Sequence, residues 1–260
     1  MKLAEKVKEL KLKAFERALS NKRGHLGGSF SCAEFLTTLY YGSSFKYFSK
    51  NPNCEERDYF IMSKGHASNV FYEILHDLGF ITLEQLSNVS GHCDLGTPGI
   101  EATTGSLGHG LGIAAGLALG LKMDNKSNKV VCLIGDGEMQ EGSIWEAIMF
   151  ISHHKLNNLL LVIDFNCLGS EDFTYNTCEH KNIIPKLLCF GISAFERDGH
   201  NIPELQKFLN KYLKDTDLPT ALLLKTIKGK GLTTLENTPK SHHHLPSEQD
   251  VESSKESILR

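Results

Sequence analysis

The segment VVCLIGDGEMQEG, residues 130–142, places Asp136 between two glycines where an apolar run stops. A second apolar run, LLLVID at 159–164, leads within two residues to Asn166, which stands thirty positions after Asp136. A carboxylate and a carboxamide at two neighbouring strand ends can hold one hard cation. Mg²⁺ takes oxygen ligands in near-octahedral geometry and usually keeps few protein ligands beside phosphate oxygens and water. Gly137 would let the backbone come close to a phosphate and offer its N–H. A plainer reading of the same stretch is a strand-to-helix turn in which Asp136 caps backbone amides.

These residues need a scaffold that brings strand ends together. The runs at 130–134, 159–164 and 220–225 are apolar throughout, as in strands of a parallel sheet covered on both faces. Helical patterns fall at 3–20, 32–41, 67–79, 108–122, 142–155 and 203–214. Alternation of the two predicts an α/β fold: a doubly wound, mostly parallel sheet flanked by helices, forming one domain over residues 1–260. Ligands of such sheets bind beyond the carboxyl ends of the strands, where Asp136 and Asn166 lie. Gly108, Gly112, Gly116 and Gly120 recur every four residues and predict a helix with a bare stripe, suited to close packing against another helix or a cofactor. The closing stretch SEQDVESSKESILR reads as a docking helix or a frayed end.

A hydrophobic fraction of 40%, a charged fraction of 23% and a net charge of −3 describe an ordinary globular protein and argue against a polyanionic partner. The early lysines Lys2, Lys6, Lys8, Lys11 and Lys13 alternate with Glu5, Glu9 and Glu16, which predicts a solvated helix face opposite Leu3, Val7, Leu10, Ala14 and Leu19. No signal peptide is expected, since the N-terminus lacks a continuous apolar core. The Gly-rich apolar stretch before Lys122 is too short for a membrane span. Seven cysteines stand singly, with no paired spacing. Free thiols in a reducing cytoplasm are expected, and a Cys-based zinc site is not.

Taken in order along the chain, GHLGGSFS (24–31), SKGHAS (63–68), GHCD (91–94), TPGIEATTGSLGHG (97–110), GDGEMQEG (135–142), DGHN (198–201) and KTIKGKG (225–231) resemble the motifs of transketolases. The resemblance covers nearly the whole chain and is to the N-terminal half, in the form in which the enzyme is split over two polypeptides. It implies thiamine diphosphate as cofactor, with Mg²⁺, or Ca²⁺ in its place, held by Asp136, Asn166 and the Leu168 carbonyl. Gly137 would donate its N–H to the diphosphate, Gly105 and Leu107 would line the cofactor cleft, and Glu141 would lie at the subunit contact. His66 and His242 would touch the diphosphate, with His242 also beside the substrate. His25 and His92 would bind donor ketose hydroxyls and help move protons, a task imidazole performs near neutral pH.

The sequence departs from the family at two places. NCLGSEDF follows the metal asparagine where relatives continue differently, putting Ser170 and Asp172 in a loop of changed shape. In PKSHHHLP, His243 replaces a glycine, so His243 or His244 stands as an alternative to His242, and the triple-His run could bind a transition metal. The pyrimidine-binding and C-terminal domains are not in this sequence. The resemblance therefore implies a separate C-terminal subunit, an α2β2 assembly, and activity only with that partner. The implied reaction moves a two-carbon ketol unit from a ketose or its phosphate to an aldose. Other activities on a related scaffold are a 1-deoxyxylulose-5-phosphate synthase-like reaction, that of the alpha chain of a 2-oxo-acid dehydrogenase, or a non-catalytic regulatory role.

Overall fold

The computed structural model describes residues 2–179, 181–214 and 216–260. In chain order the elements are α1 (Leu3–Ser20), α2 (Leu26–Ser31), α3 (Ala33–Gly42), β1 (Tyr59–Met62), α4 (Asn69–Asp77), α5 (Leu83–Asn88), α6 (Gly110–Met123) and β2 (Val130–Gly135). They continue as α7 (Gly142–His153), β3 (Leu159–Phe165), α8 (Thr174–Thr177), α9 (Ile183–Cys189), β4 (Ser193–Asp198), α10 (Ile202–Tyr212), β5 (Thr220–Lys225) and α11 (Val251–Leu259).

The five strands form one parallel sheet in the order β1-β2-β3-β5-β4. Its apolar strands split by parity. Val131, Leu133, Leu160, Val162, Leu222 and Leu224 face the layer of α1, α2, α3, α4 and α10. Val130, Cys132, Ile134, Leu159, Leu161, Ile163, Ala221 and Leu223 face α6, α7 and α9. Burial on both sides explains why the strands read as unbroken apolar runs rather than alternating ones. Register pairs Gly135 with Asp164, so the ends of β2 and β3 come level, and the residues after them share one edge of the sheet.

The edge strands are the ones the sequence hides. β1 is four residues long, and β4, SAFERD, is largely open to solvent on its outer side and carries charge. Such blunted edges discourage pairing with another chain and lack the signal of a central strand. Four helices among the described residues also escape the pattern. α2 lies just ahead of the helix predicted at 32–41, α5 is a six-residue helix closed by a Thr82–Gln85 capping box, and α8 and α9 are four and seven residues long.

One expectation is corrected. Lys6 and Lys11 do not lie on a solvated face: both are buried and paired, Lys6 with Asp77 at 2.6 Å and Lys11 with Glu34 at 2.8 Å. They cross from α1 to neighbouring helices, a role that spacing on one helix cannot reveal. Among the described residues nothing packs on the glycine stripe of α6, for a Cβ added at Gly112, Gly116 or Gly120 would meet open space. Gly108 differs, with φ +88° and Ser143 and Glu141 against it. The C-terminal stretch does dock, for α11 packs on α1 with Ile258 and Ser254 buried. All seven cysteines are free, with Cys32, Cys93 and Cys132 fully enclosed.

Candidate functional site

A cavity of about 450 Å³ opens beyond the carboxyl ends of β2 and β3. Its walls include His25, His66, His92, His242, Gly105, Leu107, Asp136, Gly137, Glu141, Asn166 and Leu168, together with Lys64, Glu138 and Lys228. A larger depression of about 720 Å³ between the start of α1 and the start of α10 holds none of these groups.

The strand-end carboxylate is tightly held. Asp136 Oδ1 accepts the Gly137 N–H at 2.9 Å and Oδ2 accepts the Cys167 N–H at 2.6 Å. It therefore does cap backbone amides, and Cys167 adopts φ +62° to deliver its N–H. Burial, reinforced by the nearby Asp164 charge, pushes the Asp136 carboxyl up to about 7. A cation at this carboxylate would reverse that balance. Asn166 Nδ2 donates to Asp164 Oδ2 at 3.0 Å while its Oδ1 accepts the Leu168 N–H at 3.1 Å. An ionised carboxylate only accepts, so Asp164 fixes which way round the Asn166 amide sits.

Asp164 is the hub below this pair. It is fully buried, pairs with the Lys64 ammonium, and accepts the hydroxyls of Ser31 and Thr226. Burial works against its charge, but Lys64 and these donors hold its carboxyl below the usual range. Lys64 also donates to the Gly28 carbonyl at 2.9 Å. One carboxylate thus ties β3 to α2, to the turn after β1 and to the residue after β5.

Glycines bring the histidine-bearing loops within reach. A Cβ on Gly24 would strike the His243 carbonyl, and one on Gly27 would strike Ser241 Oγ at 2.5 Å. Gly105 has φ +145° and would meet the His92 ring at 2.6 Å. His25 itself sits at φ +64°, and its N–H donates to the His242 carbonyl at 3.0 Å. A histidine held in the left-handed region is costly unless its surroundings insist on it, and such outliers gather at functional sites. Ring centroids lie 5.8 Å from His25 to His66, 6.1 Å to His92 and 5.2 Å to His242, and 4.8 Å from His66 to His242. Partial burial and the neighbouring cationic groups depress three of these rings: His25 and His66 fall below the ordinary imidazole range, and His242 falls to about 3.

Among the three consecutive histidines, His242 lines the cavity and approaches Lys228 Nζ through Nδ1 at 3.2 Å. His243 and His244 are exposed, and His244 turns to the Lys240 carbonyl. The altered loop after Asn166 closes on itself: Leu168 bridges Phe173, and Gly169 N–H donates to the Asp172 carbonyl at 2.8 Å. The Leu168 carbonyl takes Lys228 Nζ at 3.2 Å, so a cationic group already finds that oxygen. Glu141 is exposed at the cavity mouth.

Several residues in the site carry no assignment in the sequence reading. Lys228 sits in KTIKGKG, and its ammonium reaches the Leu168 and Gly169 carbonyls; burial and the Lys64 charge lower it to about 8. Glu138, inside GDGE, accepts from the Ser63 hydroxyl and from the Gly108 and Gly135 amides, which locks the mouth together. DGHN does not enter the cavity. Its His200 accepts the Ile227 N–H through Nε2 at 2.9 Å and so steadies the loop that presents Lys228. Motif membership flagged these residues, but only three-dimensional packing separates the cavity lysine from the supporting histidine.

The donors fit a hard cation: a carboxylate, a carboxamide oxygen and a backbone carbonyl lie on one wall, with no thiolate or imidazole among them. Gly137 has neither a positive φ nor a crowded Cβ position, the nearest atom being Gly169 Cα at 3.7 Å. Nothing in the chain itself demands glycine there, which suits a position kept bare for a ligand.

An all-parallel, doubly wound α/β sheet with a polar cleft at its strand ends defines the class of protein. Residues 2–258 match the family described as "Transketolase, thiamine diphosphate binding domain". An apulose-4-phosphate transketolase subunit of Phocaeicola vulgatus is 36% identical over 238 residues, covering 89% of this chain and 84% of the relative. The 6-deoxy-6-sulfo-D-fructose transketolase subunit SqwG of a Clostridium species is 36% identical over 234 residues, covering 87% and 85%. The crystal structure of transketolase from Campylobacter jejuni superposes with a TM-score of 0.93 at 30% identity, covering 99% of this chain and 42% of that one. The chain belongs to the transketolase family, as its thiamine diphosphate binding domain, and is a transferase of the transketolase type.

Proposed function

We propose that this chain binds the diphosphate of thiamine diphosphate through Mg²⁺, or Ca²⁺ in its place, and with a second subunit transfers a two-carbon ketol unit from a ketose or ketose phosphate to an aldose. The observation that carries this reading is the convergence of oxygen donors from adjacent strand ends and four histidines on one cavity. Asp136, Asn166 and the Leu168 carbonyl would hold the metal, and Gly137 would donate its N–H to the diphosphate. Lys228, released from the Leu168 carbonyl by the metal, would answer the remaining phosphate charge, and His66 and His242 would donate to phosphate oxygens. When bound, the cofactor supplies a thiazolium carbon able to attack a ketose carbonyl and store the resulting carbanion.

The remaining work belongs to imidazoles. His25 and His92 would hold donor hydroxyls; one ring nitrogen takes the hydroxyl proton as the carbon–carbon bond breaks and returns it to the acceptor alkoxide. The lowered basicity of the His25 ring favours its neutral form at pH 7, which is the form that accepts a proton. Gly105 and Leu107 line the cleft, and at its mouth Glu141 faces a partner chain. That partner would be a C-terminal transketolase subunit carrying the pyrimidine-binding domain, in an α2β2 complex in the cytoplasm. The relatives whose names make each of them one subunit of a transketolase support this arrangement. No helix among the described residues is long and apolar enough to cross a membrane.

Calorimetry with thiamine diphosphate tests the reading directly. Binding is expected only with Mg²⁺ or Ca²⁺ present and is expected to vanish in Asp136→Ala. Equal affinity with and without the cation, or in the variant, would overturn it. Full ketol transfer by this chain alone would overturn the dependence on a partner.

A further inference from the structure

His243 plays no part in the proposed reaction, yet it is well placed beside two rings that do. One ring nitrogen each from His25, His242 and His243 lie within 4.8 Å of one another. The ring centroids are 5.3 Å apart for His25 and His243 and 4.5 Å apart for His242 and His243. We propose that His25, His242 and His243 form a second metal site, at the rim of the cavity, for a borderline divalent cation of the Zn²⁺ type. It is distinct from the oxygen-donor site at Asp136 and Asn166.

The donor chemistry separates the two. Imidazole nitrogens suit Zn²⁺, Ni²⁺ and Cu²⁺ and bind Mg²⁺ and Ca²⁺ poorly, whereas the wall of Asp136 and Asn166 offers oxygen alone. Tetrahedral Zn²⁺ with Zn–N bonds of ~2.0–2.1 Å needs its nitrogens roughly 3.3 Å apart. The rings must therefore close by no more than about 1.5 Å, which small side-chain rotations supply. Three histidine ligands leave the fourth tetrahedral position for water or a substrate hydroxyl.

The site has a built frame. The His25 N–H is bonded to the His242 carbonyl, and the His243 carbonyl lies against Gly24, which has no side chain to obstruct it. The two segments thus meet backbone to backbone, which holds the three rings in register. A metal on Nε2 of His242 moves the single ring proton to Nδ1, and the Lys228 ammonium then retains the Gly169 carbonyl as its acceptor. Since His25 and His242 are the rings proposed to move protons and to touch the diphosphate, a cation here would block the transfer reaction without displacing the hard metal.

The test is Zn²⁺ calorimetry on the full chain, with Co²⁺ as a coloured substitute whose visible spectrum reports ligand type and geometry. His243→Gly removes one ligand, and His243→Gln is a second variant at the same exposed position. Both variants are expected to lose one equivalent of Zn²⁺, or to bind it at least tenfold more weakly. Their Mg²⁺-dependent binding of thiamine diphosphate should match the parent chain. The Co²⁺ spectrum of the parent should be that of nitrogen and oxygen ligands in low-symmetry, near-tetrahedral geometry. Identical Zn²⁺ isotherms in the parent and both variants would overturn the proposal, placing the ion elsewhere, as at the adjacent His153 and His154. A sulfur charge-transfer band from the exposed Cys178 or Cys189 would also overturn it. Neither result would touch the proposed function, which is read by thiamine diphosphate binding with Mg²⁺.

Discussion

Among the described residues two lysine–carboxylate pairs have both partners buried, and they do different work. Lys64–Asp164 lies under the cavity, with side chains 3% and 0% exposed. Lys11–Glu34 lies between α1 and α3, at 5% and 11%. The first carboxylate is saturated: besides Lys64 it accepts from Ser31, Thr226 and Asn166. The second is not, for Glu34 Oε2 has the His200 ring nitrogen at 3.2 Å as its near neighbour and lacks a well-aligned donor. A buried ion pair is weak evidence for stability, because the cost of dehydration offsets most of the attraction. What distinguishes the pair at the cavity is what hangs from it. Asp164 sets the Asn166 amide, and so the orientation of a proposed metal ligand. Glu34 sets only the packing of helices, with a distant link through His200 to the Lys228 loop.

The largest effect expected from breaking this contrast is at Lys64. Lys64→Met leaves Asp164 charged and unpaired in the interior and should cost about 3–5 kcal/mol in urea unfolding. Mg²⁺-dependent affinity for thiamine diphosphate should fall roughly 10–100-fold, the usual cost of losing support behind a metal ligand. The double variant Lys64→Met, Asp164→Leu removes both charges and should recover most of the stability. It should not recover the affinity, since Asn166 has lost the acceptor that orients it. Recovery of both together would show that Asp164 is no more than a structural partner, and the two pairs would then be equivalent.

The contrast also marks what was legible in the sequence. Asp136 and Asn166 are readable because each follows an unbroken apolar run, but the register that brings the two run ends level is seen only in the pairing of β2 with β3, since strands apolar on both faces leave it open. The four histidines are readable through the family motifs: His25, His66 and His92 each follow a glycine, His242 does not, and Gly24 and Gly27 do admit the approach of its loop. Lys64, Lys228 and Glu138 sit inside the same motifs, yet nothing local separates a lysine aimed inward from one in solvent. Their roles depend on residues distant in sequence: Asp164, 100 positions away, for Lys64, and Leu168, 60 positions away, for Lys228. Lys6 and Lys11 mislead for the same reason: on a helix drawn alone they continue a charged face, and only α3 and α4 turn that face into an interior. The edge strands β1 and β4 were invisible because a strand with one neighbour need not be apolar. The glycine stripe of α6 was legible as a stripe, but nothing among the described residues packs on it.

The matching experiment on the other pair is expected to give a smaller effect. Lys11→Met should destabilise the chain by about 2–3 kcal/mol, below the range for a fully enclosed charge, because Glu34 keeps His200 beside it and some contact with water. Affinity for thiamine diphosphate with Mg²⁺ should stay within a few-fold of the parent, measured by the same calorimetry. A loss as large as that of Lys64→Met would mean that the path from Glu34 through His200 to the Lys228 loop is as firm as the direct one.

The finest distinction is in acid. Burial alone would push the Glu34 carboxyl up, but the Lys11 ammonium and the His200 ring beside it bring it down to about 2. An unfolded glutamate titrates near ~4.3, so the folded state holds its proton less tightly than the unfolded one. Glu34 therefore contributes stability that is fully present above ~4.3 and is lost as pH falls toward 2. Urea midpoints of the parent chain should decline through that window, and Glu34→Gln, which cannot ionise, should decline less steeply while starting from a lower value at pH 7. Because Glu34 lies outside the cavity, the Mg²⁺-dependent affinity of Glu34→Gln at pH 7 should remain close to that of the parent. If the two chains instead lose stability in parallel below pH 4.3, the acid sensitivity belongs to other carboxylates, and the pair between α1 and α3 contributes geometry without a measurable electrostatic share.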